Sequence, residues 1–200
     1  QRMISIYKIK PAFQKLLQPL LRGLYKAGIT ANQITIAAVI LSIGMGWSFL
    51  YYRDYSFLIL IIPIGYLVRM ALNALDGMMA NHYNMKSDLG EILNELGDVV
   101  SDAAIIFPLI ILPDVHPVVI ILFGVLAIVN EYAGILGKVI SGERRYEGPM
   151  GKSDRALAIG LFCLIFYFWS DITEYGNWYF GILAGLTALS TIIRIRKSLK

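Results

Sequence analysis

Charge is what this chain has least of. Only 16% of its 200 residues are Asp, Glu, Lys or Arg, and 57% are hydrophobic. A soluble globular chain carries about 25% charged and about 45–50% apolar residues. The shortage points away from a soluble domain and toward a single membrane domain over residues 1–200. Cysteine is nearly absent. The one present, Cys163, sits in an apolar run, which excludes an intramolecular disulfide and leaves the compartment open. Internal repeats and low-complexity tracts are missing too. The N-terminus has no short apolar core followed by a small-residue cleavage site, so no signal peptide is expected. The net charge of +4 is modest. In a chain this apolar it reads as lysine and arginine on the cytoplasmic side, and no nucleic-acid partner is expected.

What is there is a series of apolar runs. A spanning helix needs about 20 mainly apolar residues. Residues 27–52 carry no charge, and 55–75 carry only Arg69. Further spans are expected at 90–112, at 115–137 with Glu131 inside, at 156–170 and at 177–193. Six spans put both termini on one side. All basic residues except Arg53 and Arg69 then fall on that same side. The positive-inside rule makes it the cytoplasm, with the chain in the inner (cytoplasmic) membrane. Before the first span, residues 1–26 alternate basic and apolar positions. They read as an amphipathic helix at the lipid interface, kinked or broken at Pro19. The expected fold is therefore all-α: six transmembrane helices after an interfacial one.

Against this background, residues 73–102 hold six acids: Asp76, Asp88, Glu91, Glu95, Asp98 and Asp102. Charge inside a membrane faces a bundle interior or a wet cavity and marks function by default. Asn73 and Asp76 are three apart and share a helix face. Gly90, Asn94, Asp98 and Asp102 recur every four residues, a slowly drifting stripe. Two stripes of oxygen atoms suit a hard divalent cation completed by substrate phosphates. A seam of interhelical hydrogen bonds explains the asparagines but leaves the aspartates unneutralised. Their counter-ion is a metal, Arg69, or a basic residue from 138–155.

This stretch resembles the signature of the CDP-alcohol phosphotransferases, D-x2-D-G-x2-A-R-x8-G-x3-D-x3-D. The chain reads Asn73-x2-Asp76-Gly77-x2-Ala80-Asn81-x8-Gly90-x3-Asn94-x3-Asp98, without a gap. Asparagine stands for the first aspartate, the arginine and the third aspartate. The resemblance implies a six-helix membrane enzyme that moves a phosphoalcohol group from a CDP-linked lipid, usually CDP-diacylglycerol, to an acceptor hydroxyl. It implies Mg²⁺ or Mn²⁺ in a two-metal site near Asn73, Asp76, Asn94 and Asp98, with Asp98 as general base. Gly77, Ala80, Asn81 and Gly90 would border the donor, and homodimers are common in the family. Asn32 and Thr35 look like helix-start residues, in a region that borders the donor in family members. Asparagine keeps an oxygen but loses a charge. Asp102, one turn beyond Asp98, either replaces the lost carboxylate as a ligand or pairs with a buried cation. Asn81 removes a bidentate phosphate grip, which His82 or Lys86 would have to replace.

The segment GERRYEGPMGKSDRA, 142–156, leads into the fifth span. Its arginines and a helix start suit an anion. Arg144, Arg145, Lys152 and Arg155 are the candidate acceptor-binding residues, favouring a phosphorylated small alcohol. The same loop also reads as one touching lipid headgroups. Glu131 reads as half of a structural ion pair, with Arg69 or Lys138, ahead of a place lining the acceptor pocket, and His116 as a turn residue. Two other functions stay open: a catalytically impaired member that binds nucleotide-lipid, and a small cation-coupled transporter whose acidic seam holds its cargo.

Overall fold

The computed structural model describes residues 9–199, with side chains from residue 13 onward. Arg2, Lys8 and Lys200, assigned above to the cytoplasmic face, lie outside the described residues, as does the side chain of Lys10. The described residues form seven α-helices: α1 (Ile9–Lys26), α2 (Ala31–Phe49), α3 (Ile61–His82), α4 (Asp88–Ile106), α5 (Pro117–Ser141), α6 (Lys152–Phe168) and α7 (Gly176–Ser198). Short 3-10 turns precede α3 and α7 and extend α4. The chain is all-helical and apolar, an integral membrane protein as expected.

Among the described residues, four segments are long and apolar enough to cross a membrane: 31–49, 56–82, 117–141 and 170–198. They match the expected first, second, fourth and sixth spans. The expected third and fifth spans lie on α4 and α6. Five acids within α4 lower its hydropathy, and α6 has 17 residues with Lys152, Asp154 and Arg155 in its first turn. At 1.5 Å per residue α6 is about 26 Å long, a little under the hydrocarbon thickness.

Local chemistry sets the helix ends. Gly28 takes a positive φ of 76°, and Ile29 N–H reaches back to the Leu24 carbonyl at 3.0 Å, closing α1. Thr30 then caps α2. Its N–H donates to Gln33 Oε1 at 2.9 Å, and Gln33 N–H donates to Thr30 Oγ1 at 3.3 Å, a capping box. Pro19 does not break α1; the helix runs through it. His116 caps α5, its Nδ1 accepting from Val118 N–H at 3.3 Å.

By internal contacts the chain divides into two units: residues 1–41 with 67–98, and 42–66 with 99–200. In the first unit, Leu17 and Leu21 of α1 pack on Ala31 and Ile34 of α2 and on Leu75 and Met79 of α3. Tyr25 and Tyr83 stack nearly parallel, centroids 3.7 Å apart. This core fixes the ends of α1, α2 and α3 that carry the polar residues described below. In the second unit, Phe123, Phe162 and Phe180 form an aromatic centre; the Phe162 and Phe180 centroids are 4.9 Å apart. Gly46 brings α2 against the Ala104 carbonyl of α4 with no room for a side chain. Leu122, Val125, Val129 and Tyr132 of α5 stay exposed, the apolar face a helix turns to lipid.

Candidate functional site

The first unit contains a cavity of about 260 Å³. Its walls come from the start of α2 (Ala31, Asn32, Thr35), the last turns of α3 (Asp76, Gly77, Ala80), the connection (Met85, Lys86, Ser87) and the start of α4 (Gly90, Glu91, Asn94). Five residues of the sequence motif are therefore gathered on one concavity: Asp76, Gly77, Ala80, Gly90 and Asn94. Asn73, Asn81 and Asp98 do not border it. Asn81 turns back on its own helix, Nδ2 donating to the Gly77 carbonyl at 2.7 Å.

The two glycines are required for different reasons. A Cβ on Gly90 would sit 2.7 Å from Asn32 Oδ1 and 3.1 Å from Ser87 Oγ, so glycine lets α4 approach α2. A Cβ on Gly77 would meet nothing within 4 Å. It would project into open space beside the cavity wall. Packing does not demand glycine there, and the missing side chain leaves the backbone open to close approach.

The aspartates hold different partners. Asp76 is buried and accepts from Thr35 Oγ1 at 3.0 Å. The Ala31 carbonyl, 3.2 Å from Thr35 Oγ1, is a second acceptor within reach of the hydroxyl's single proton. Asp98 faces the buried guanidinium of Arg69, Oδ1 to Nη2 at 3.9 Å. Arg69, Asn73 and Asp76 follow one face of α3 at four- and three-residue steps. Among the described residues no three His, Cys, Asp or Glu side chains come together as a metal cluster. The oxygen set at the motif is two carboxylates and two neutral amides. Hard-cation chemistry fits these atoms, with less negative charge than four carboxylates would give and with Arg69 already beside one of them.

The second unit holds a buried ionic cluster. Arg155, 1% exposed, donates from Nη2 to Asp102 Oδ2 at 2.7 Å and to Glu131 Oε1 at 2.8 Å. Its Nε also reaches Asp102 Oδ2, at 3.2 Å. Arg144 Nη2 binds the other Glu131 oxygen at 2.9 Å. Arg194 lies 3.5 Å from Glu131 and donates to the Asn130 carbonyl at 2.6 Å. Asp102 forms the pair with a buried cation that is one of its two readings. Glu131 is a structural ion-pair residue, as expected, with three arginines around it.

The loop between α5 and α6 is laid over this cluster. Gly142 ends α5 with φ +77°. Arg145 N–H donates to the Gly134 carbonyl at 3.2 Å, and a Cβ on Gly134 would strike the Arg145 carbonyl at 2.7 Å. Met150 N–H donates to Ser190 Oγ at 2.8 Å. Asp154 caps α6 by accepting from Gly151 N–H at 2.9 Å. Glu147 accepts from Tyr146 N–H at 3.0 Å and pairs with Lys197 at 3.3 Å. Hydrogen bonding, first from its own backbone N–H, holds its carboxyl below the ordinary value.

Reading the residues alone missed several parts of these sites. Thr35 as partner of Asp76, Ser87 and Glu91 on the cavity wall, and Arg194 in the ion cluster carried no pattern of their own. Asn32 and Thr35 do stand on the first turns of α2, as the sequence reading expects.

With this geometry in view, the chain compares closely with known proteins. The sequence model described as CDP-alcohol phosphatidyltransferase matches residues 28–193. An Escherichia coli K12 protein, inner membrane protein YnbA, is 42% identical over 196 residues, covering 98% of this chain and 97% of that relative. The crystal structure of Mycobacterium tuberculosis phosphatidylinositol phosphate synthase (PgsA1) with CDP-DAG bound is similar at TM-score 0.78 and 18% identity, covering 93% and 94% of the two chains. The same enzyme in complex with manganese and citrate gives TM-score 0.76 at 18% identity, covering 91% and 88%.

Proposed function

Because this chain belongs to the CDP-alcohol phosphatidyltransferase family, we propose that it transfers a phosphatidyl group from CDP-diacylglycerol to a small alcohol at the inner membrane, in phospholipid synthesis. The observation that carries the reading is the cavity formed by the motif residues Asp76, Gly77, Ala80, Gly90 and Asn94. Its volume of about 260 Å³ is small for a whole nucleotide-lipid. It suits the diphosphate and part of the cytidine, with the acyl chains outside among lipid. Lys86, on the cavity wall, supplies the cation that Asn81 does not.

A divalent ion, Mg²⁺ or Mn²⁺, would be held by Asp76 and Asp98 with amide oxygens of Asn73 and Asn94. When bound, it would neutralise the diphosphate and the charge that develops on the leaving group. Thr35 orients the Asp76 carboxylate. Gly77 leaves the wall clear for the diphosphate. The acceptor oxygen forms a bond to the lipid-side phosphorus. The bond from that phosphorus to the bridging oxygen breaks, and CMP leaves with the electron pair. The acceptor's proton passes to Asp98. Arg69 lies beside that carboxylate, Nη2 to Oδ1 at 3.9 Å. Orientation supplies most of the rate, since an aspartate beside a cation is a weak base.

The distribution of lysine and arginine along the sequence favours a cytoplasmic side for both ends of the chain and for the donor cavity. The apolar outward side chains Leu16 and Leu20 of α1, 75% and 51% exposed, favour a helix resting on lipid. Six spans, with α4 and α6 completing the bundle, fit the same arrangement.

The test is reverse turnover in lipid nanodiscs: CMP added to phosphatidyl product should regenerate CDP-diacylglycerol. Asp98→Asn should lower the rate by about 100-fold or more while CDP-lipid binding persists. Full activity in that variant would remove Asp98 from the chemistry.

A further inference from the structure

We propose that α1 carries a binding surface for anionic phospholipid headgroups, and that this surface steadies the connection lining the motif cavity. The residues concerned all lie in the first unit. Helix α1 contains no acid. Its Lys15, Arg22 and Lys26 are exposed, and none pairs with an acid among the described residues. The basic groups of the α5–α6 loop differ in this respect. There Arg155 is held by Asp102 at 2.7 Å, and Arg144 by Glu131 at 2.9 Å.

Helical spacing sorts α1 into three stripes. At about 100° per residue, Lys15, Arg22 and Lys26 fall within about 40° of one another, in a row about 16 Å long. Leu16 and Leu20, 75% and 51% exposed, form a second stripe. Leu17 and Leu21 form the third, buried against Ala31, Ile34, Leu75 and Met79. The two leucine stripes are neighbours, and the basic row lies almost opposite their midline. That order suits a helix half sunk at a membrane interface. One leucine stripe rests on the protein, one enters the acyl chains, and the cations stand level with the headgroups. The exposed leucines alone would suit any lipid. The cations set the class, because each Lys or Arg near an anionic leaflet raises affinity by about fivefold. A soluble acidic partner would satisfy the cations and leave the leucines beside them in water; an anionic bilayer satisfies both. Lys26 also complements the carbonyls that end α1, but Lys15, about three turns earlier, has no such role.

The surface connects to the cavity through aromatic packing. Tyr25 of α1 stacks on Tyr83, centroids 3.7 Å apart and planes 3° apart. His82 meets Tyr83 edge-on at 4.9 Å. Tyr83 and Met85 pack on the same core as Leu17 and Leu21. Met85, Lys86 and Ser87 then line the cavity. A helix pinned at the headgroups holds this wall of the cavity through that core.

Hydrogen exchange on the full-length protein in nanodiscs tests the proposal. It needs no donor, metal or turnover, so its outcome is separate from that of the transfer reaction. Nanodiscs of phosphatidylcholine alone are compared with nanodiscs containing about 30% phosphatidylglycerol. In the anionic lipid, exchange over residues 13–26 and 83–87 should slow by about tenfold. About 1 M salt, with a Debye length of about 3 Å, should erase the difference. The triple variant Lys15→Gln, Arg22→Gln, Lys26→Gln should exchange alike in both lipids. These side chains are exposed, so the variant keeps the buried core. Equal exchange in the two lipids by the wild type, or a lipid difference that survives in the triple variant, overturns the proposal. Slow exchange over 13–26 in both lipids, with two chains in each nanodisc, seats a second copy of the chain on α1 and overturns it as well. A lipid difference at 13–26 without one at 83–87 supports the headgroup surface and overturns its hold on the cavity wall.

Discussion

At the scale of single residues, Gly77 is the sharpest probe of the cavity. Its missing side chain serves no packing contact. Alanine there should leave stability unchanged or raise it by up to about 1 kcal/mol, because alanine is the better helix former. Affinity for CDP-diacylglycerol should nevertheless fall about tenfold, since the methyl group enters ligand space. Thermal unfolding with a donor titration separates the two effects. Unchanged donor affinity would mean that the diphosphate does not lie against Gly77. The contrast with Gly90 is instructive, because a methyl group there must push Asn32 and Ser87, both on the cavity wall. Asp76, Gly77, Ala80, Gly90 and Asn94 were legible in the sequence because their spacing is fixed by two helices and one connection. Thr35 was not. A hydroxyl forty-one positions away has no periodic relation to the aspartate it orients, and only the packing of α1, α2 and α3 brings the two to 3.0 Å. Asp98 was legible as a motif residue; in the structure its near neighbour is Arg69, and it does not line the cavity.

At the scale of elements, the long uncharged runs announced themselves. The spans expected from 27, 55, 115 and 177 each overlap a helical segment that is long and apolar enough to cross a membrane. The two runs that fall short do so for a physical reason. Acids thread α4, and charged residues take up the first turn of α6, which has only 17 residues. The α5–α6 loop read as a cationic patch because sequence shows charges and not their partners. Glu131 and Asp102 neutralise it from other helices. The loop also carries a pH dependence. The Glu147 carboxyl is held below its ordinary 4.5 by its own backbone hydrogen bond, with help from Lys197. A depressed carboxyl contributes stability that is complete above the unfolded value and is lost as pH falls through the folded one. Hydrogen exchange over residues 143–150 should therefore be flat above about pH 5 and rise below 4.5. Glu147→Gln should show raised exchange at neutral pH and lose the acid-side rise. An identical profile in the variant would remove Glu147 from the anchoring of this loop.

At the scale of the whole molecule, charge arithmetic separates this chain from the signature it otherwise matches. Asparagine at 73 and 94 removes two negative charges from the motif, and Arg69 adds a positive one beside Asp98. Metal affinity of the protein alone should consequently be weak, with the donor diphosphate providing the missing oxygens. Metal and CDP-lipid must then reinforce one another, which a transporter with a resident cation site or a purely architectural motif would not require. Thermal stability of the purified protein, titrated with Mn²⁺ and CDP-diacylglycerol separately and together, reads this coupling directly, because a ligand that binds only the folded state raises apparent stability. The account predicts a small shift with either alone and a larger shift with both than the sum of the two. Equal shifts that merely add, or no shift with the pair, would contradict a donor site at the motif cavity.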